Sequence, residues 1–151
     1  AAKQAPQEEY LLVDGYNIIY AWEELNVLAK DNMEGARGRL MDLLCNYQAV
    51  KKCSLIVVFD AYRVPGHDEE FIDFHNIHVV FTKTAETADH YIEKFAHDNG
   101  KKYNVTVATS DGVEQVIIRG QGCLLISARE FEKEIAAMEE HLRENYLNRT
   151  Y

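Results

Sequence analysis

Residues 10–17 read Tyr-Leu-Leu-Val-Asp-Gly-Tyr-Asn, and this stretch decides the fold class. From Tyr10 to Asp14 the chain is almost continuously apolar over a length too short for a helix, the pattern of a strand covered on both faces of a parallel sheet. Asp14 ends the strand. Leu55 to Phe59 (LIVVF), Ile77 to Phe81 (IHVVF), Val105 to Ala108 (VTVA) and Cys123 to Ile126 (CLLI) repeat the pattern, so five strands are expected.

Between the strands the apolar residues switch to helical spacing. Ala36, Leu40, Leu43, Leu44, Tyr47 and Val50 form one stripe, and Ala85, Ala88, Ile92, Phe95 and Ala96 form another. Asn99-Gly100 is expected to end the second as a left-handed C-cap. Ser127 and Glu130 bracket a capping box that opens the last helix, with Phe131, Ile135, Met138 and Leu142 on one face and charge on the other. Strands alternating with helices imply right-handed crossovers, hence a three-layer α/β domain with a mainly parallel five-stranded sheet flanked by helices. The one long irregular connection is Ala61 to Asn76, which contains Pro65-Gly66 and shows no clear period. The domain is expected over residues 10–147, with a tail at 148–151. Residues 1–9, AAKQAPQEE, lack an initiator Met and read as a linker or expression remnant, with the natural chain extending upstream.

The chain has 151 residues and 17.4 kDa, room for one domain. With 47% hydrophobic and 27% charged residues it can bury a core, which excludes a disordered or disulfide-stapled chain. Sixteen basic against 25 acidic residues give a net charge of −9, so no global positive field draws it to nucleic acid and any such contact must be local. Cys45, Cys53 and Cys123 lack metal-ligand spacing and sit in or beside apolar runs, as reduced structural thiols do. No apolar run approaches the roughly 18 residues of a membrane helix and no signal peptide opens the chain, so a cytoplasmic location is expected.

Ligands of a parallel α/β sheet bind outside the carboxyl ends of its strands. Asp14 ends the first strand, Asp60 follows the second, and Thr109-Ser110 lead from the fourth into Asp111. Asp89 lies near the start of a helix at the margin of its apolar stripe. Singly, each has a structural reading: Asp14 and Asp111 as helix caps, Asp111 with Glu114 as a capping box, Asp89 as a first-turn carboxylate. Together they would repel, and a divalent cation relieves that repulsion. Oxygen-only ligands favour Mg²⁺ or Mn²⁺ over Zn²⁺. Asn17, one helical turn past Asp14, could orient a water or a phosphate oxygen there. Of six histidines only His90, beside Asp89, is near the proposed site. There is no GxGxxG or Walker loop.

LLVDGYNII, VVFDA, TKTAETADHYIEK and VATSDGVEQVIIRGQGC, in this order, resemble the NYN domains of the YacP type, relatives of PIN-domain ribonucleases, from Tyr10 to about Met138. The resemblance implies a PIN-like fold and metal-dependent endonucleolytic cleavage of single-stranded RNA, leaving a 5′-phosphate and a 3′-hydroxyl. Asp14, Asp60, Asp89 and Asp111 match the acidic positions and Asn17 the Asn of VDGYN, with Glu86 and Glu93 as supporting residues from the helix motif. It also implies messenger RNA as substrate and a ribosomal setting, because proteins of this type include a bacterial endoribonuclease acting in the ribosomal A site. Similar domains end translational GTPases resembling ribosomal-protection proteins, so fusion to an upstream GTPase is a further expectation.

On that reading Ser110 would steady a water, Arg63 and Lys83 would meet phosphates, and Tyr16 and Tyr62 could stack on bases or simply pack. Arg37, Arg39, Lys101, Lys102, Arg119 and Arg129 are further basic candidates. A receiver domain would need an acidic pair after the first strand and a Lys after the fifth; a haloacid-dehalogenase phosphatase would need DxD where Asp14-Gly15-Tyr16 stands. A non-catalytic RNA- or ribosome-binding module remains the alternative, against which the intact acidic set argues.

Overall fold

The computed structural model describes residues 8–61 and 69–150, with side chains as far as Tyr146. In chain order the elements are β1 (Glu9–Asp14), α1 (Gly15–Ala21), α2 (Glu23–Asp31), α3 (Met33–Lys51), β2 (Ser54–Phe59), β3 (Glu70–Phe74), β4 (Ile77–Phe81), α4 (Ala88–Asn99), β5 (Asn104–Ala108), α5 (Gly112–Gly120), β6 (Leu124–Ile126) and α6 (Ala128–Thr150). The six strands form one sheet in the order β3-β4-β2-β1-β5-β6. All neighbours are parallel except β3 and β4.

The alternating faces of the central strands feed two cores, as a period of two requires. Leu11, Val13, Leu55, Val57 and Phe59 turn to one side, where they pack with Leu40 and Leu44 of α3, Ile18 and Ile19 of α1 and Phe131 of α6. Leu12, Ile56, Val58 and Val107 turn to the other, against Ile92 and Ala96 of α4 and Ile118 of α5. The three-layer expectation therefore holds. Trp22 locks the first core shut: its Nε1 donates to the Ala128 carbonyl at 2.7 Å and its ring packs against Phe131. Cys123 is buried and Cys45 and Cys53 half-buried. Among the described residues no helix is long and apolar enough to cross a membrane.

From β1 the chain winds through β2 to β4, then α4 carries it back across to β5 on the other side of β1. The strand order thus reverses between β1 and β5. A crevice opens at such a switch point, outside the carboxyl ends of the two strands.

Three expectations need correction. The sheet has a sixth strand, β3, inside the segment read as irregular. As an edge strand it buries neither face fully, with Phe71 64% and Ile72 40% exposed, so it carries no continuous apolar run. His75 and Asn76 turn it back onto β4, His75 at a left-handed φ of 52°, and the Asn76 amide donates to the Cys45 carbonyl and to Gln48 on α3. Pro65-Gly66 lie outside the described residues. Next, Gly100 is right-handed (φ −61°) and is needed for space: a Cβ there would sit 2.6 Å from the Ala96 carbonyl oxygen and 2.7 Å from that of Gln121. The left-handed cap is instead Lys52, at the end of α3. Third, α4 begins at Ala88 behind the N-cap Thr87, so Ala85 precedes the helix and is exposed. The last helix, α6, runs to Thr150.

Candidate active site

Asp14 stands at the crevice because β1 ends there, and its place at the N-terminus of α1 does not occupy it: the side chain makes no capping hydrogen bond. It is 5% exposed. Gly15 lets the chain turn away at once, since a Cβ would lie 2.3 Å from the Phe59 ring. Across the crevice, β5 delivers Thr109, fully buried, whose hydroxyl lies 3.3 Å from Asp14 Oδ2 and 3.0 Å from Glu114 Oε2. The same oxygen accepts the Asp111 N–H at 3.1 Å. One hydroxyl proton therefore serves two carboxylates.

Carboxylate oxygens of Asp14, Asp89 and Glu114 all lie within 4.8 Å of one another. Glu114 is 1% exposed and its Oε1 has no hydrogen-bond partner among the described residues. Burial, then the charges of Asp14 and Asp89, push the Glu114 carboxyl up to about 10. Burial, with the charge of Asp89 adding, raises Asp14 to about 7, although its hydrogen bonds to Glu114 and Thr109 oppose the rise. Three acids this close cannot all ionise without an external positive charge, so the cluster holds on to protons that isolated carboxyls would lose. An all-oxygen donor set with an unpartnered buried oxygen fits a hard divalent cation.

The sequence pointed to four aspartates, and the structure brings two of them together. Asp60 accepts the Ala88 N–H at 2.7 Å, tying the start of α4 to the end of β2. Asp111 caps α5, accepting the Glu114 N–H at 2.9 Å. The capping box there is only half formed, because the Glu114 side chain turns inward to Thr109. Glu114 was legible solely as a capping residue, although it lies one turn before Ile118 on the buried face of α5. Asn17 Oδ1 accepts the Ser110 N–H at 2.8 Å, and Ser110 Oγ accepts the Ala128 N–H at 3.0 Å, so both brace the crevice rim. Glu86 is half-buried with one buried unpartnered oxygen, Glu93 is half-buried along α4, and neither joins the cluster. His90 is exposed in the first turn of α4.

Lys83 is exposed just past β4, on the crevice edge of the sheet. Tyr16 is no stacking platform: it is 5% exposed and its ring packs on Phe59 with centroids 5.1 Å apart. Tyr62 and Arg63 lie outside the described residues.

A mainly parallel sheet with buried carboxylates at its switch point makes this an α/β domain with an acidic site at the carboxyl ends of its strands. The YacP-like NYN domain model matches residues 11–151, and the chain belongs to that family. It is 43% identical over 135 residues to YacP of Bacillus subtilis (strain 168), covering 89% of this chain and 79% of that protein. The crystal structure of a point mutant of Rae1 (YacP) from Bacillus subtilis superposes with a TM-score of 0.82 at 40% identity, covering 94% of this chain and 84% of that one. A second Rae1 (YacP) crystal structure gives 0.79 at 39% identity, over 93% and 81% of the respective chains.

Proposed function

We propose that this domain is a divalent-metal-dependent endoribonuclease acting on single-stranded RNA, with messenger RNA on the ribosome as its physiological substrate and the cytoplasm as its location. The observation that carries the reading is the Asp14, Asp89 and Glu114 triad, packed within 4.8 Å with Glu114 Oε1 left unpartnered. These three would hold Mg²⁺ or Mn²⁺, which when bound supplies charge neutralisation to a phosphodiester and acidifies water.

The chain's own residues do the rest. With a cation held by Asp14, Asp89 and Glu114, the protons that burial keeps on this cluster would be released, so uptake of the metal would release protons. Asn17, whose carbonyl oxygen is taken by Ser110, has its Nδ2 amide to offer a phosphate oxygen. The Ser110 hydroxyl accepts from Ala128 and retains its proton for a water. Asp60 and Asp111 act as positioning residues, fixing the helix starts that carry Asp89 and Glu114. The net charge of −9 supports a partner that presents the RNA, since the protein itself attracts it weakly.

The test is cleavage of a labelled single-stranded RNA and of messenger RNA on translating ribosomes, with Mn²⁺ or with EDTA. Metal-dependent internal cuts, stronger on ribosomes and lost in Glu114→Gln, are expected. Binding of RNA without cleavage under every condition would overturn the enzyme in favour of a binding module, and equal cleavage of free RNA would remove the ribosome from the proposal.

A further inference from the structure

Resting on the nuclease reading above, we infer that Arg37, held by the hydroxyl of Tyr16, is the site's contact for the RNA phosphate backbone on its α3 side. Two independent features place it there. The chain runs from α3 into β2, which is parallel to β1, so α3 starts above the carboxyl edge of the sheet. Arg37 stands 14 residues before the end of α3, roughly 21 Å at 1.5 Å per residue, about the length of β2, which sets it level with the carboxyl end of that strand. Its Nη1 donates to Tyr16 Oη at 3.2 Å, and Tyr16 is two residues past Asp14 with its ring on Phe59, the residue before Asp60.

The charge of Arg37 is unanswered. It is half-buried, and among the described residues no carboxylate oxygen lies within ion-pair distance of it, whereas Arg39 pairs with Glu24 and Lys51 with Glu134. In a chain of net charge −9, a half-buried guanidinium left with a neutral phenol as partner is unusual. Anchoring through one nitrogen leaves the rest of a planar fork whose geometry matches two phosphate oxygens. Gly38, beside it, leaves the helix surface bare: a Cβ there would meet nothing within 4 Å. Tyr16, discounted as a stacking platform, becomes a positioning residue that takes freedom from the arginine before RNA arrives.

The experiment is fluorescence anisotropy of a labelled single-stranded oligoribonucleotide with the full chain in EDTA, over a range of salt, beside melting curves. Arg37→Gln should weaken binding about three- to tenfold at low salt and reduce the slope of log Kd against log salt by about 0.7, the value for one phosphate contact on a single strand. Arg37→Lys should keep the slope. Tyr16→Phe should weaken binding severalfold with the slope unchanged, and should have no effect in an Arg37→Gln background. If Arg37→Gln does not fold, the Tyr16→Phe and Arg37→Lys outcomes decide. Unchanged affinity and slope in Arg37→Gln, or unchanged affinity in Tyr16→Phe, overturns this inference alone; wild type that neither binds nor cuts RNA overturns the nuclease reading with it.

Discussion

The two ends of the sheet treat their acids in opposite ways. At the amino ends of the strands a groove of about 390 Å³ is lined by residues including Glu9, Tyr47, Lys51 and Glu134. There Glu134 is answered from within the chain: Tyr47 donates to its Oε1 at 2.9 Å and Lys51 Nζ lies 3.4 Å from the same atom. At the carboxyl ends Asp14, Asp89 and Glu114 face one another with a single hydroxyl between two of them. A carboxylate matched by the protein's own cation is complete as it stands. One matched only by other carboxylates is relieved either by keeping a proton or by a bound cation.

The largest expected effect is on catalysis. Losing a ligand that provides several kcal/mol of transition-state stabilisation lowers the rate about 10³-fold, and Asp14→Asn should do so in an RNA cleavage assay. The same substitution should raise the melting temperature of the metal-free domain by relieving repulsion, and shrink the rise on adding Mg²⁺. A mutant that still cuts RNA and responds fully to Mg²⁺ would erase the contrast between the two ends.

Acidity comes next. The Asp14 and Glu114 carboxyls titrate at about 7 and about 10 in the fold, both raised, so the native state binds more protons than the unfolded chain. Stability of the metal-free domain is then fullest below the unfolded values near 4 and falls as pH rises through 7 and on toward 10, a loss on the order of a few kcal/mol. Denaturant unfolding at pH 5 and pH 8 in EDTA checks this. Equal stability at the two values would mean the cluster is not protonated in the fold, and Glu114→Gln should flatten the profile.

Thr109→Val should cost about 1–3 kcal/mol, because the Asp111 N–H loses its buried acceptor and both carboxylates lose their donor. Thr109→Ser should restore most of it. The smallest effect belongs to the other end: Glu134→Gln should cost about 1 kcal/mol in thermal unfolding, since its partners are partly exposed, and leave the metal response untouched. A changed metal response there would show that the two ends are coupled.

Burial decided what the sequence revealed. β1, β2, β4 and β5 were visible because strands inside the sheet are largely apolar; of the two edge strands, β6 was visible because Leu124, Leu125 and Ile126 are apolar although Leu124 is 69% exposed, while β3 was hidden because its apolar residues are interrupted by Glu70 and Asp73. Asp14 and Asp89 were visible as acids where a strand ends or a helix begins. Asp60 and Asp111 share that position, but each spends an oxygen on a helix N-terminus, which only the packing of α4 and α5 discloses. Glu114 was concealed by a motif it satisfies with its backbone alone. The inward turn of its side chain is set by Thr109, five residues earlier at the end of β5, and its only sign in the sequence was its place one turn before Ile118.

Trp22 gives this molecule its own lamp. It is the single tryptophan of the chain, 3% exposed, with its indole N–H on the carbonyl of Ala128, whose N–H is held in turn by Ser110 at the crevice rim. Any event that lifts the start of α6 from that rim must break the indole hydrogen bond and admit solvent to the ring. Its emission would then shift to the red, so opening at the rim can be followed in real time by intrinsic fluorescence, with no label attached.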